Sequence, residues 1–377
     1  MAGIYLHIPF CKKACFYCDF HFSTSVKYRQ EVIQAMHSEL ELQKGHLAGA
    51  PIETIYFGGG TPSILSSSEI QKFIDHISAL HWVSASAEIT LEANPDDLDE
   101  QQVRALRQTS INRFSIGVQS FYEEDLRWMN RAHTASEADG AVKRVQDAGF
   151  ENITLDLIYG YPLLSDQKWA SNIAKVIELG VPHLSAYAMT VEHRTALAHF
   201  IKKGKQPDMD DHQSSSQFLA LIAALTETGF DHYEISNFAK PGFYSRHNTS
   251  YWKGVSYLGI GPSAHSFNGT ERRWNIANNA RYMESLSKGL IAAERETLTR
   301  KDRVNEYIMT SLRTMWGMDL LKIEKEFGHH YRLQVEHQLE EFAKKGWLDI
   351  ADNIVTLSLQ GKLFADHIAA SLFTEEE

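Results

Sequence analysis

Ile4-Tyr5-Leu6-His7-Ile8-Pro9-Phe10-Cys11-Lys12-Lys13-Ala14-Cys15-Phe16-Tyr17-Cys18 opens the chain with a short apolar strand that runs straight into a thiol-rich loop. All three cysteines of the 377 residues fall within this loop, as Cys11-x3-Cys15-x2-Cys18. Three thiolates with no fourth cysteine cannot close an all-cysteine tetrahedral site. Iron–sulfur clusters normally take four thiolates, so a [4Fe–4S] cluster held by three leaves one iron open to a reacting ligand. Zinc is one alternative, with His21 completing three sulfurs and an imidazole. Its ligands, however, usually come as two close couples separated by a longer loop. Three unrelated buried thiols are the plainer alternative. A structural disulfide is the least favoured reading, since the odd count leaves one thiol over.

Composition narrows the class. The length allows one large domain and a smaller one, with an ample core. A net charge of −11 argues against a nucleic-acid partner, which needs a basic footprint. No apolar run approaches the length of a bilayer span, so no integral membrane segment is expected. The first residues enter a strand at once and show no targeting segment. The expectation is a cytoplasmic protein in a reducing compartment, where thiols survive.

Residues 3–240 alternate short β-branched or aromatic runs with longer amphipathic stretches, which predicts repeated βα units. Strands are expected at Ile4–Ile8, Thr54–Phe57, Glu88–Leu91, Arg113–Ile116, Ile153–Leu157 and Leu184–Tyr187. Six such units make either an open doubly wound sheet or a barrel, complete or partial. Function-grade residues stand at or near every expected strand end: the cysteine run, then Gly58-Gly59-Gly60-Thr61-Pro62, Glu92, Gln119, Asp156 and Tyr187. Barrels gather their chemistry at the C-terminal strand ends, so these positions describe one shared mouth. Residues 241–300 are less periodic and read as a connecting segment.

Residues 301–377 read as a second, winged-helix-like domain, with helices at Val304–Met315 and Leu333–Lys345, a hairpin from Gly346 to Leu357, and a last helix at Lys362–Leu372. Its 9 Lys+Arg against 14 Asp+Glu favour a lid or docking role over DNA binding. Glu375-Glu376-Glu377 reads as a solvated tail.

Consecutive glycines after the second strand let backbone amides approach a ligand with no side chain in the way. The loop lacks the Gly-Lys-Ser/Thr of a phosphate loop and the spacing of a dinucleotide fingerprint. Arg131 could hold a carboxylate bidentately. Glu92 or Asp156 could accept hydrogen bonds from ribose hydroxyls or an amine. With Gln119, these residues suit a ligand with an amino-acid end, a ribose and an adenine.

Tyr5-Leu6-His7-Ile8-Pro9-Phe10-Cys11, the cysteine trio, Gly58-Gly59-Gly60-Thr61-Pro62, Gly117-Val118-Gln119 and Asp156-Leu157-Ile158-Tyr159-Gly160 together resemble the radical S-adenosylmethionine (SAM) superfamily. More narrowly they resemble its branch of oxygen-independent coproporphyrinogen III oxidases and HemW-type haem chaperones, and the resemblance covers nearly the whole chain. It implies an α/β fold: a partial (β/α)6 barrel over 1–240, the connecting segment 241–300, and the branch's C-terminal domain over 301–377. It implies a [4Fe–4S] cluster on Cys11, Cys15 and Cys18, with S-adenosylmethionine on the open iron. By position, Tyr5, Gly59, Gly60, Thr61, Glu92, Gln119, Arg131 and Asp156 would contact S-adenosylmethionine.

Two departures separate the siblings. The oxidases resemble Cys-x3-Cys-x2-Cys-x-Cys and carry a longer N-terminal extension. Here Phe20 stands where the fourth cysteine would be. His247-Asn248-Thr249-Ser250-Tyr251-Trp252 fits the His-Asn-x-x-Tyr-Trp motif of the chaperones, which implies haem contact by His247, Asn248, Tyr251 and Trp252, with His265 and other histidines as alternatives. Lys253 could pair with a propionate. The implied activity is binding haem and delivering it to haem-requiring proteins such as membrane-bound respiratory cytochromes. The alternative is an enzyme, the oxidative decarboxylase of coproporphyrinogen III, against which Phe20 speaks. Replacing Cys15 with Ser is expected to abolish the brown cluster absorbance of anaerobically prepared protein. An intact cluster in that variant would mean the trio has another task.

Overall fold

The computed structural model describes residues 1–374; Glu375–Glu377, expected as a solvated tail, lie outside the described residues. Six parallel strands form its centre: β1 (Ala2–Ile8), β2 (Ile52–Gly59), β3 (Val83–Ala93), β4 (Arg113–Gln119), β5 (Ile153–Tyr159) and β6 (His183–Ala188). They lie side by side in chain order, each parallel to the next. That order decides between the two expected architectures. Right-handed crossovers that never reverse put every connecting helix on one face, whereas a doubly wound sheet reverses to cover both. The uncovered face curls inward, and the result is a partial barrel.

The covered face buries Ile4, Leu6, Phe57, Leu91, Phe114, Ile116 and Leu155. Its helices are α1 (Arg29–Leu42), α2 (Ser67–Leu80), α3 (Glu100–Leu106), α4 (Glu123–Trp128), α5 (Ala135–Asp147), α6 (Asp166–Leu179), α7 (Ala196–Lys202) and α8 (Asp211–Glu227). Ser66 with Glu69, and Thr134 with Glu137, form reciprocal capping boxes at the starts of α2 and α5. The alternate strand residues face the lumen and are polar. Tyr56 donates to Glu92 at 2.8 Å, Ser115 to both oxygens of Asp156 at 3.1 and 3.2 Å, and Arg113 to Thr154.

The strands beyond the six are antiparallel except where they meet β1. β8 (Asn237–Ala239) pairs with β6, and β7 (Asp231–Glu234) pairs with β8. On the other edge, β9 (Tyr257–Ile260) runs parallel to β1 and continues through β10 (His265–Phe267), β11 (Glu271–Asn275) and β12 (Ala293–Thr297). The weak periodicity of 241–300 thus hides four strands. They are only three to five residues long and range from the mostly buried β9 to the mostly exposed β12, so no apolar alternation marks them. Two helices accompany them, α9 (Arg246–Trp252) and α10 (Asn279–Ser287). α9 closes the end of the lumen opposite the mouth. Its Arg246 and His247 amides each donate to the Glu88 carboxylate at 3.1 Å.

The C-terminal domain has its own core, built from Val304, Ile308, Leu312, Phe327, Val335, Leu339, Val355 and Ile368. It comprises α11 (Arg300–Leu312), β13 (Met318–Asp319), α12 (Leu320–Glu326), α13 (His329–Lys344), β14 (Leu348–Ala351), β15 (Ile354–Leu357) and α14 (Ala365–Ser371). β13 adds a third strand to the expected hairpin, in the order β13-β15-β14. Backbone bonds fasten it to the barrel edge: Ile235 N to Arg313 O and Met315 N to Tyr233 O, both 3.0 Å.

The edge strands are fastened to the barrel by Glu39, a fully buried carboxylate on α1. It accepts from Tyr282 Oη at 2.5 Å, Asn275 Nδ2 at 2.7 Å and Gly261 N at 2.9 Å. Replacing Glu39 with Ala leaves those donors without a partner. It is expected to lower unfolding free energy by about 3 kcal/mol, read as a lower denaturant midpoint. An unchanged midpoint would show that these bonds do not hold the edge.

Candidate functional site

Two cavities share a wall at the C-terminal strand ends, where Asp19, Phe20, Gly59 and Glu92 line both. The smaller, about 430 Å³, brings together Cys11, Cys15, Cys18, Gly59, Gly60, Thr61, Glu92, Gln119, Arg131, Asp156 and Tyr187. Of the residues expected to contact S-adenosylmethionine, Tyr5 alone lies elsewhere. It lines the larger cavity, with its hydroxyl 3.2 Å from His7 Nδ1.

The glycine loop is shaped by what surrounds it. A Cβ on Gly60 would lie 2.7 Å from Phe10 O and 3.0 Å from Cys11 Sγ, and one on Gly58 would lie 2.8 Å from the Tyr5 ring. Gly59 has φ +109°, and a Cβ there would strike His7 at 2.7 Å. A side chain at Gly60 would push the loop off the cysteines, and one at Gly58 or Gly59 would push it off the β1 side chains. Thr61 Oγ1 lies 3.4 Å from Cys11 Sγ as a donor. At the end of β4, Gln119 stands at φ +65° where the ladder to β5 shifts register, a backbone conformation that turns its side chain to the cavity.

Arg131 differs from the expected free carboxylate clamp. Its Nη1 lies 3.5 Å from both Cys15 Sγ and Tyr17 Oη, while Nη2 donates to Asn94 Oδ1 at 2.8 Å and Gly117 O at 2.7 Å. The guanidinium therefore faces a sulfur and spends its terminal donors on the protein. Its Nε is buried with no partner among the described residues, leaving one donor for a ligand. Burial pushes the Cys18 thiol up to about 12, and the Cys11 thiol is raised for the same reason.

Burial also raises Glu92 to about 7 against the Tyr56 hydroxyl bond, and raises Asp156 to about 6 against its bonds from Ser115. Ser115 and Tyr17 were not singled out in the sequence. The polar-or-small alternation Arg113, Ser115, Gly117 was the available signal for the first; nothing local marks the second.

His21, considered as a fourth zinc ligand, instead joins its Nε2 to Asn279 Oδ1 at 2.7 Å and lines the other cavity. The thiol set, the cradle that any Cβ would fill and the orphaned Arg131 Nε all fit a cluster with an amino-acid-bearing ligand beside it.

The larger cavity, about 700 Å³, lies between the β9–β10 edge and α11–α12. Tyr251, Trp252, Tyr257, Phe267, Tyr307 and Phe327 give it aromatic walls. Trp252 Nε1 is buried and unpartnered among the described residues. His247 is not presented to this cavity. It is 2 % exposed, with Nδ1 2.8 Å from Thr54 Oγ1 and Nε2 2.7 Å from Tyr251 Oη, and stacks on Tyr56. Both ring nitrogens of His247 are thus bonded within the protein, while its partner Tyr251 lines the cavity. Asn248 is among the lining residues of neither cavity, and Lys253 lies over the Trp316 ring at 4.3 Å.

Fold and mouth are those of a radical SAM protein. The Radical SAM superfamily model matches residues 5–191, and the HemN C-terminal domain model matches 298–364. The chain is similar to the "Heme chaperone HemW" of Bacillus subtilis, with 30% identity across 100% of both chains. That of Mycobacterium tuberculosis is 32% identical over 98% of this chain and 94% of its own, and that of Escherichia coli 30% identical over 99% and 98%. The solved coproporphyrinogen III oxidase HemN of Escherichia coli superposes with a TM-score of 0.86 at 25% identity, over 99% of this chain and 90% of its own. The chain belongs to the HemW family within the radical SAM superfamily.

Glu92 gives the mouth a pH dependence of known sign. With its folded value raised to about 7, the native state keeps a proton that the unfolded chain releases in the ordinary carboxyl range. Stability therefore falls as pH rises through that window. Without added S-adenosylmethionine, Glu92→Gln is expected to melt higher than the parent at pH 8, with the gap closing toward pH 5. A gap independent of pH would contradict the assignment.

Proposed function

We propose that this chain is a haem carrier that binds haem in the aromatic cavity, holds a [4Fe–4S] cluster and S-adenosylmethionine in the adjoining one, and delivers the haem to acceptor haemoproteins. The observation that bears the reading is the pairing of a thiol-lined cavity with an aromatic one through a common wall. The full-length likeness to proteins named heme chaperones supports it.

In this reading Cys11, Cys15 and Cys18 ligate the cluster. Bound there, the cluster and S-adenosylmethionine supply one-electron chemistry at a sulfonium. Thr61 and Arg131 lend hydrogen bonds to Cys11 and Cys15 and moderate the thiolate charge. The backbone of Gly59 and Gly60 and the free Arg131 Nε meet the amino-acid end of S-adenosylmethionine, while Glu92, Gln119 and Asp156 take its polar remainder. Tyr5 separates the two ligands. Tyr251 and Trp252 offer flat faces to the porphyrin.

Acceptors such as respiratory cytochromes fit a carrier that works from the cytoplasm. No helix among the described residues is long and apolar enough to cross a membrane.

A second reading, oxidative decarboxylation of coproporphyrinogen III, draws on the HemN superposition. Phe20, in place of the oxidases' fourth cysteine, weighs against it. Two anaerobic assays on cluster-reconstituted protein separate the readings. Hemin should be taken up stoichiometrically and pass to an apocytochrome. Coproporphyrinogen III with S-adenosylmethionine and reductant should remain unconverted, and protoporphyrinogen formation would reverse the assignment.

A further inference from the structure

We infer that Lys12 is a positioning residue for the cluster: its ammonium clasps the Cys11-x3-Cys15 stretch to the turn after β3, through Asp96 and Asp97, and so sets how firmly the metal is kept. The inference rests on the reading of the three thiols as cluster ligands and adds the group that holds two of them in place.

The thiol loop is fastened unevenly. Cys11 N donates to Ser23 O at 3.1 Å, Asn130 Nδ2 to Ala14 O at 2.8 Å, and Phe16 N to Met129 O at 3.1 Å. Between these points Lys12 and Lys13 make no backbone hydrogen bond among the described residues. Their side chains tie this stretch down instead. Lys13 Nζ donates to Arg131 O at 3.3 Å. Lys12 Nζ lies 2.8 Å from Asp96 Oδ2 and also pairs with Asp97 Oδ1.

An isolated ion pair at a surface contributes little, because water screens it and two long side chains lose entropy. This one differs in its acidic half. The Asp97 side chain is 5 % exposed and that of Asp96 12 %. Asp97 Oδ2 also accepts from Ser63 Oγ at 2.6 Å, in the turn that follows the glycine loop. Ser63 Oγ in its turn accepts from Asn94 N at 3.1 Å. Asn94 Oδ1 accepts from Arg131 Nη2, whose sister nitrogen Nη1 faces Cys15 Sγ. The circuit thus runs from Cys11 through Lys12, Asp97, Ser63, Asn94 and Arg131 back to Cys15.

Its fixed side is the turn after β3. Pro95 and Leu98 are buried, Asp97 N donates to Asn94 O at 3.0 Å, and Arg144 Nε on α5 donates to Leu98 O at 2.6 Å. The thiol loop is therefore the part that moves when the clasp opens. Without the Lys12 ammonium, two neighbouring carboxylates with little access to water are left unneutralised. That cost is relieved when the loop swings aside and admits water, and the swing draws Cys11 away from Cys15.

The test uses the full chain with its cluster reconstituted anaerobically, without S-adenosylmethionine. One readout is the rate at which a ferrous-iron chelator, bathophenanthroline disulfonate, draws iron from the protein. The other is the midpoint potential of the cluster, followed by electron paramagnetic resonance, because net charge nearby helps to set it. Lys12→Met should release iron at least about fivefold faster than the parent, and Lys12→Arg should match the parent. Asp97→Asn should also release iron faster. The potential should fall in Lys12→Met and rise in Asp97→Asn, opposite shifts that a general loss of stability would not produce. The double variant should return the potential toward that of the parent and release iron no faster than the quicker single variant. Parent-like release in Lys12→Met, or potentials that move together, overturns the clasp and leaves the cluster reading standing. A parent that takes up neither iron nor sulfide removes both.

Discussion

A parallel sheet wound in one direction has helices on one face only, and everything in this molecule follows from what becomes of the other face. Curving inward, that face becomes a lumen whose groups are cut off from bulk water. Each polar side chain there must therefore find a partner or cost free energy. The lumen meets most of the requirement with cross-strand bonds such as Tyr56 to Glu92, Ser115 to Asp156 and Arg113 to Thr154, leaving Thr90 Oγ1, Arg113 Nε and His183 Nδ1 without partners among the described residues. His247, inserted from α9, completes the network by bonding Thr54 on one side and Tyr251 on the other. A polar lumen satisfied in this way is rigid, because moving one member leaves the next unpaired.

Rigidity below makes a defined mouth above. The strand ends converge, and the cysteine loop meets the glycine loop at distances that no Cβ would allow. Gly60 N also donates to Ile8 O at 2.9 Å, tying the end of β1 to the loop after β2. The thiols are thus held against a wall of backbone, with a guanidinium bond on Cys15 and a hydroxyl bond on Cys11. Glu92 and Asp156 are kept within the same wall at raised pKa values because burial disfavours their charge. A cationic ligand placed among them would be met by carboxyls that ionise as it arrives.

Much of this was legible in the sequence because strands buried on one face and ending in chemistry leave strong marks. The six central strands, the cysteine run, the glycine loop and the gathering of Glu92, Gln119, Arg131 and Asp156 at one mouth all read from local pattern. Barrel against open sheet did not, since that depends on strand order rather than on any residue. The edge strands in 241–300 escaped because strands of three to five residues are too short to show a period. The bonding of His247 could not be read for a different reason: its partner Thr54 lies 193 positions away in the chain. Arg131 lies at the mouth, but its acceptors could not be read, since Asn94 comes from the turn after β3 and Gly117 O from β4.

The wall common to the two cavities is where these constraints meet. Phe20 follows Cys18 by two residues, so the loop that presents the thiols also presents a large apolar side chain, 66 % exposed, to the space between the cavities. A cysteine there would offer a further sulfur to the thiol side; a phenyl ring extends the aromatic side instead. Glu92 stands in the same wall, so its charge state is felt in both cavities. A cation that binds among the thiols and ionises Glu92 changes the field at the aromatic cavity. By linkage, a guest there changes the ease of that ionisation by the same free energy. Any two guests separated by this one carboxyl and one ring would be coupled with no moving part, through side chains that the barrel's curvature has fixed.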